Sequence, residues 1–436
     1  MEDTRIVRAM VDLWKLSYPG PSNLYSAPEF LELKAACQEV HPGIVNTMNG
    51  TVALSIALRA LGLPCGLPES NGVARLEPYD AARALAASLT RASAERIIMC
   101  PLDLADSLPD LNFGPCTVRT FSQQELYTHF HGCILARMFP GRPLDVSRLA
   151  QFTWLCVREE LTLSDPGRRA APFLYETVSD WGSIEPHATK FPTVVEQALF
   201  LLLLEPWEDW ANFSEWRAFH VPWTYASSDD LFEHRTFPPG PDSLSWQLQT
   251  FEDYAGEQIE IEVPGYLPLD SEAKTAASSV THDAWSSLMS ALASPLFETP
   301  IVHFFVRAYS SDGIDEFLGH MLAIEAALGL ESDYRGQKPM DTIRGSMRIQ
   351  CRVSALLGST AEGQSYGRLF QLRSMFLHGR SMGRILAQDR QSARSLARRV
   401  VKATIVQAIA DSTHCLSREA FVTALLEQGA QMHGLE

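Results

Sequence analysis

The sequence predicts an α+β protein: a mixed helical and short-strand N-terminal region followed by an all-α helical bundle. Three observations predict it. Beyond about residue 280 the chain falls into seven apolar-periodic stretches, His282 to Leu292, Thr299 to Tyr309, Gly313 to Leu330, Met340 to Leu357, Ser365 to His378, Arg384 to Asp411 and Arg418 to Gln431, each at helical spacing. Before them, tryptophan is dense (Trp207, Trp210, Trp216, Trp223, Trp246) beside alternating segments such as Ile259-Glu260-Ile261-Glu262-Val263. The length of 436 residues, with 46% apolar and 20% charged, suits two or three folded domains. We place them at 1–115 (helical and irregular), 116–275 (Trp-rich, mixed α+β) and 276–436 (helical bundle), with the polar stretch Asp270 to Ser279 as the main boundary.

Along the first two regions, Thr51 to Leu61 reads as an apolar helix or buried segment, closed by Gly62 and Pro64. Pro78 to Ala94 reads as a second helix, rich in Ala and Leu. Arg96 to Cys100 reads as a buried strand, and Pro101 to Pro115 as a Pro- and Gly-punctuated link. Asp145 to Glu160 is predicted helical from Val146, Leu149, Phe152 and Leu155-Cys156. Thr193 to Glu205 is predicted helical and ends at Pro206. Trp216 to Phe219 and Ile259 to Val263 are predicted as short strands, with Pro238-Pro239-Gly240-Pro241 as a loop. The tryptophans read as core aromatics; too few cations accompany them for a base-stacking surface.

Composition narrows the function classes. The longest apolar run, Ala198 to Leu204, is far too short to cross a bilayer. Met1-Glu2-Asp3-Thr4 lacks the basic start of a signal peptide, so a cytoplasmic protein is expected. None of the 8 cysteines forms a C-x-x-C pair, and they read as reduced thiols. His129-Phe130-His131-Gly132-Cys133 has no second cluster to complete a metal site, so none is predicted. No P-loop or dinucleotide fingerprint is present, and no cofactor is expected. Asp229-Asp230 and the carboxylates from Glu257 to Glu262 read as solvated loop and strand positions. The net charge of −16 argues against indiscriminate binding to nucleic acid. Yet Tyr334 to Lys402 holds 14 basic residues against Asp341, Glu362 and Asp389, a balance of +11 that leaves −27 for the rest. Such a stretch can bind a polyanion locally, or its arginines can pair with acidic neighbours elsewhere in the fold.

Within it, Leu369-Phe370-Gln371-Leu372-Arg373-Ser374-Met375-Phe376-Leu377-His378-Gly379 places an arginine and a histidine five residues apart near a helix end. Arg grips phosphate with a planar fork of donors, and His moves protons near neutral pH. With 30 Arg and 12 His in the chain, that spacing also arises by chance, so its surroundings carry the argument. The helix is apolar on more than one side, through Tyr366, Leu369, Phe370 and Leu377 and then Leu372, Met375 and Phe376. Five residues separate Arg373 and His378 by roughly 140° around the axis, so the two flank a face. Gly379 reads as the helix C-cap.

From about residue 300 to 400 the chain resembles the HEPN ribonuclease superfamily, and especially the HEPN domain of ApeA-like antiphage proteins. Four pieces match in order: Phe305-Val306-Arg307-Ala308-Tyr309; Asp315-Glu316-Phe317-Leu318 with Ala323-Ile324-Glu325-Ala326-Ala327-Leu328; Ser346-Met347-Arg348 through Ala355-Leu356-Leu357; and Leu369 to Gly379, which carries an Arg-x4-His motif. Ile324 and Ala327 depart mildly from the family's apolar pattern. The resemblance implies a metal-independent endoribonuclease working in antiphage defence. The RNA 2′-hydroxyl would attack phosphorus and leave a 2′,3′-cyclic phosphate and a 5′-hydroxyl. Arg373 and His378 would be catalytic and Ser374 would orient one of them. It also implies a homodimer through the C-terminal bundle, which would bring two Arg and two His to one cleft. Glu325 reads as a paired core carboxylate in preference to a catalytic one. Arg380, Arg384, Arg394 and Arg398 are the candidate RNA-backbone contacts. The acidic N-terminal half would sense or restrain, and a phage-derived or nucleotide trigger stays open. The competing reading is a non-catalytic HEPN-like module that dimerises and binds RNA or a protein. A third places an enzymatic site in the Trp-rich middle region.

Overall fold

The computed structural model describes residues 4–18, 20–42, 48–68, 75–170, 190–207, 218–252, 256–333, 343–377, 384–411 and 417–435. The fold is α+β, with antiparallel strands and many helices. The chain divides into two compact units, each built from three separate segments. The first comprises Met1–Asp103, Arg119–Ile184 and Pro222–Pro264; the second comprises Leu104–Val118, Glu185–Val221 and Gly265–Glu436.

The chain begins with four helices, α1 (Arg5–Leu13), α2 (Pro28–Val40), α3 (Met48–Leu61) and α4 (Pro78–Thr90). Thr4 caps α1, and its buried residues Ile6, Ala9, Met10 and Leu13 fall on one stripe at helical spacing. They meet Phe30 and Leu33 of α2, Leu54 and Leu58 of α3 and Leu85 of α4 in one apolar cluster. Gly62 ends α3 with φ +89°, a conformation that favours glycine. α4 stops at Thr90, earlier than the sequence pattern predicts, because β1 (Ser93–Leu102) already begins at Ser93.

After β1 come the short hairpin β2 (Leu111–Phe113) and β3 (Cys116–Thr120), then α5 (Gln123–His129), α6 (Gly132–Met138), α7 (Val146–Leu149), β4 (Thr153–Thr162) and α8 (Pro166–Ala170). The helix predicted over Asp145 to Glu160 is corrected here: only one helical turn forms, and the rest is strand β4. Trp154, Leu155, Cys156 and Val157 are all buried, and a strand covered on both faces mimics a helix in periodicity. β4 pairs antiparallel with β1 from Ser93↔Thr162 to Leu102↔Thr153, and Arg158 bridges to Glu95 at 2.6 Å. Farther along, α9 (Thr193–Leu203) precedes β5 (Tyr225–Ser228), which pairs with the other edge of β1. Phe130, Trp154 and Tyr225 pack at centroid distances of 5.7 and 5.3 Å to fill the aromatic core below these strands. Trp223 and Trp246 pack against the same cluster, as core aromatics do. Trp216 lies outside the described residues, and Phe219 is buried but not in a strand. Asp230 is no solvated loop acid: it is buried, with Arg169 at 2.8 Å.

The hairpin β6 (Trp246–Glu252) and β7 (Gln258–Pro264) closes the first unit's sequence. The polar stretch read as a boundary then folds as α10 (Ser271–Ala277), capped by Asp270 through the amides of Glu272 and Ala273. The second unit continues with α11 (His282–Leu292), α12 (Ile301–Tyr309), α13 (Gly313–Leu328), α14 (Gly345–Leu357), α15 (Thr360–Leu377), α16 (Ala387–Ala410) and α17 (Arg418–Met432). α9 packs on α12 through Phe200 against Phe305, edge to face at 5.4 Å. α13 packs on α12 and α16, and α14 on α15 and α17. Among the described residues no helix is long and apolar enough to cross a membrane.

α17 approaches α14 most closely at Gly429, where an added Cβ would lie 2.0 Å from the Cys351 carbonyl oxygen. Backbone cannot yield as a flexible side chain does. Gly429→Ala is therefore expected to destabilise the protein by about 1–3 kcal/mol or more, read as a lower urea midpoint. Gly66→Ala, which meets nothing within 4 Å, is the control and should leave the midpoint little changed.

Candidate active site

α15 turns Tyr366 and Leu369 into the unit's interior, where both are fully buried. Arg373 follows Leu369 by four residues, so it emerges on the same side one turn later. Its side chain is 21% exposed and pairs through Nη1 with Glu325 Oε1 on α13 at 2.8 Å. Tyr366 donates its hydroxyl to the same oxygen at 3.4 Å. The Phe370 ring lies 5.8 Å from the guanidinium carbon. Arg373 Nε is buried and has no hydrogen-bond partner among the described residues. The guanidinium is thus held on one side by an acid and an aromatic ring while other donors of its fork are uncommitted.

Glu325 is the paired core carboxylate that its apolar helix suggests. Burial pushes its pKa above the ordinary glutamate value of 4.5, against the opposing pull of Arg373 and the Tyr366 hydroxyl. Ser374 is half-buried beside Arg373. His378 and Arg380 lie outside the described residues, so the position of the histidine relative to Arg373 is given by the sequence alone. α15 ends at Leu377, the residue before His378.

The candidate RNA contacts divide. Arg384 is exposed and has no partner among the described residues. Arg394 and Arg398 are corrected: they are 1% and 4% exposed and face inward. Arg394 grips Glu316 Oε1, with Nε at 3.1 Å. Arg390, one turn earlier, takes Glu316 Oε2 at 2.6 Å. Arg398 donates to the Leu203 carbonyl at 3.2 Å and to the Tyr309 hydroxyl. These three arginines are spaced four apart, so they form one stripe on α16 that turns toward the core. That spacing, facing an acid in an otherwise apolar helix, was the available signal for the buried role of Glu316.

The same holds for much of the basic stretch. Arg348 and Arg352 converge on Asp333, Arg368 pairs with Asp389, Arg399 with Glu362, and Lys402 with Glu205 at 3.6 Å. Asp333 and Glu205 come from outside the stretch, as Glu316 and Glu325 do, whereas Asp389 and Glu362 belong to it. Comparison with protein-family models, curated proteins and solved structures finds no match to this chain.

Two outcomes follow from the geometry. Glu316→Gln leaves the buried Arg394 and the partly exposed Arg390 without their counter-charge and should cost about 3–5 kcal/mol in urea unfolding, whereas Arg384→Gln should leave stability unchanged. For Glu325, a raised folded-state pKa means stability that is fully present below 4.5 and is lost as pH rises through the folded value. The stability of the wild type relative to Glu325→Gln should therefore fall as pH increases above 4.5. A difference that rises over that window contradicts burial as the dominant effect.

Proposed function

We propose that the second unit is a HEPN-type ribonuclease module with Arg373 and His378 as its catalytic pair. The observation that carries this reading is the arginine, held half-buried by Glu325 at the end of the helix that leads directly into His378. An arginine already oriented by a buried acid loses less freedom when it takes up a phosphate. In this mechanism the RNA 2′-hydroxyl attacks the adjacent phosphorus, and His378 moves the proton. Arg373 stabilises the charge that develops on the phosphoryl oxygens, and Ser374 orients the pair. The products are a 2′,3′-cyclic phosphate and a 5′-hydroxyl. Glu325 acts as a positioning residue through Arg373. The chemistry needs an acid–base group and a fixed positive charge, both of which the motif supplies.

The reading includes a homodimer acting in the cytoplasm in antiphage defence. α15 supports a twofold contact: Tyr366 and Leu369 are buried within the unit, while Met375 and Leu377 are 40% and 52% exposed next to the candidate pair. A self-complementary patch of this kind is most simply closed by a second copy.

One observation favours the competing reading of a non-catalytic module that binds RNA or a protein. Arg373 already has a carboxylate partner, and an ion-paired arginine is a weaker phosphate ligand than one without a partner.

Incubation with total RNA in EDTA separates the two. Cleavage is expected to persist in EDTA, to leave cyclic phosphate ends, and to be abolished in Arg373→Ala and His378→Ala, both of which should stay folded. Glu325→Gln should lower the rate without abolishing it. Unchanged cleavage in both alanine variants defeats the assignment. Activity lost in EDTA and restored by magnesium or manganese moves the chemistry to carboxylates. If RNA is bound but not cut, Arg384→Gln should reduce the salt slope of binding by about one unit or less.

A further inference from the structure

The second unit contains a cavity of about 330 Å³ beside α12, lined among others by Lys190, Phe191, Glu196, His303, Val306 and Arg307. That volume lies at the small end of the range for metabolite sites. None of these residues belongs to the Arg373 motif.

Its chemistry is asymmetric. Phe191 and Val306 are buried and make an apolar floor. Arg307 is exposed at the rim, and its guanidinium has no partner among the described residues. Lys190 stands over the Phe191 ring at 5.2 Å and donates to the Val221 carbonyl at 3.3 Å, which leaves two of its three donors. His303 lies one helical turn before Arg307, so the two share a face of α12. Its Nδ1 meets the buried Glu196 of α9 at 3.2 Å. The Glu196 carboxyl group on Nδ1 fixes the ring and leaves Nε2 for a ligand. The only acid at the cavity wall is thus engaged by the histidine, among the described residues. Burial pushes the Glu196 carboxyl above its ordinary value, with His303 opposing that shift. Ser310 and Ser311 complete the rim, with hydroxyls now bonded to the Val306 and Arg307 carbonyls.

We propose that this cavity binds a small organic anion, with its phosphate or carboxylate seated between Arg307, Lys190 and His303 and its apolar body on Phe191 and Val306. The two cations and the histidine converge where an apolar floor would otherwise attract a neutral ligand. Glu196 is a positioning residue that fixes the His303 ring.

The test uses the full-length protein and ligand-observed NMR with phenyl phosphate, benzoate and benzyl alcohol. Both anions, or phenyl phosphate alone, should bind more tightly than the alcohol, and the tighter of the two tells phosphate from carboxylate. Arg307→Gln and His303→Gln should each weaken anion binding about five-fold or more, with unchanged thermal midpoints. Arg83→Gln, at an exposed position of α4 in the first unit, should not weaken it. No anion binding up to about 10 mM overturns the proposal. So do equal affinities in the wild type and both variants, or benzyl alcohol binding as tightly as the anions.

Discussion

Glu316 is the residue on which the helical unit depends. It sits on α13, almost fully buried, with Arg390 on one oxygen and Arg394 on the other. A carboxylate in that position is tolerated only when its charge is matched and its lone pairs are filled. The match fixes α16 against α13 to within a hydrogen bond, since a shift of one residue along α16 would carry both arginines off the acid. Arg398 extends the same stripe to the α9 carbonyl of Leu203 and the α12 hydroxyl of Tyr309. One row of arginines therefore ties α16 to three other helices. Asp333 does the same for α14, accepting from Arg352 Nη2 at 3.0 Å while Arg352 Nη1 donates to the Leu328 carbonyl at 2.9 Å.

This internal pairing changes what the basic stretch means. Its positive charge looks like a field for a polyanion when counted along the chain. In the folded unit, Glu205, Glu316, Glu325 and Asp333 come from outside the stretch to meet it. Among the described residues, what is left for a ligand is local: the uncommitted donors of Arg373, and Arg344 and Arg384 on the surface. A phosphate contact in this region would rest on a few oriented groups near one helix end and less on a broad attraction, with a correspondingly small salt dependence.

Arg373 stands between the structural and chemical roles of these arginines. Like the others it has a buried acid, but unlike Arg394 it keeps part of its side chain at the surface. Glu325, itself held by the Tyr366 hydroxyl, restricts the guanidinium, and the Phe370 ring lies against it. The exposed Met375 and Leu377 beside it give the same helix end an apolar patch. Charge held in place next to an uncovered apolar surface is a combination that suits a site completed by another molecule.

The helices were readable from the sequence. α11 was predicted with the bounds it has, and α13, α16 and α17 lie within a few residues of theirs, because period, caps and breakers act over a turn or two. The strand β4 was not readable as such, since its buried run has no polar face to show a period of two, and only the β1 ladder decided its form. In the candidate site, the pairing of Glu325 was legible from residue type and context, whereas the inward turn of Arg394 and Arg398 had only their four-residue spacing as a signal. Arg394 and Glu316 are 78 residues apart, and Arg398 and Leu203 are 195 apart. Local sequence determines which residues share a helix face. Whether that face meets an acid, a carbonyl or water is decided by which helices pack against it, because the cost of burying a charge is set by the partner that the tertiary fold supplies.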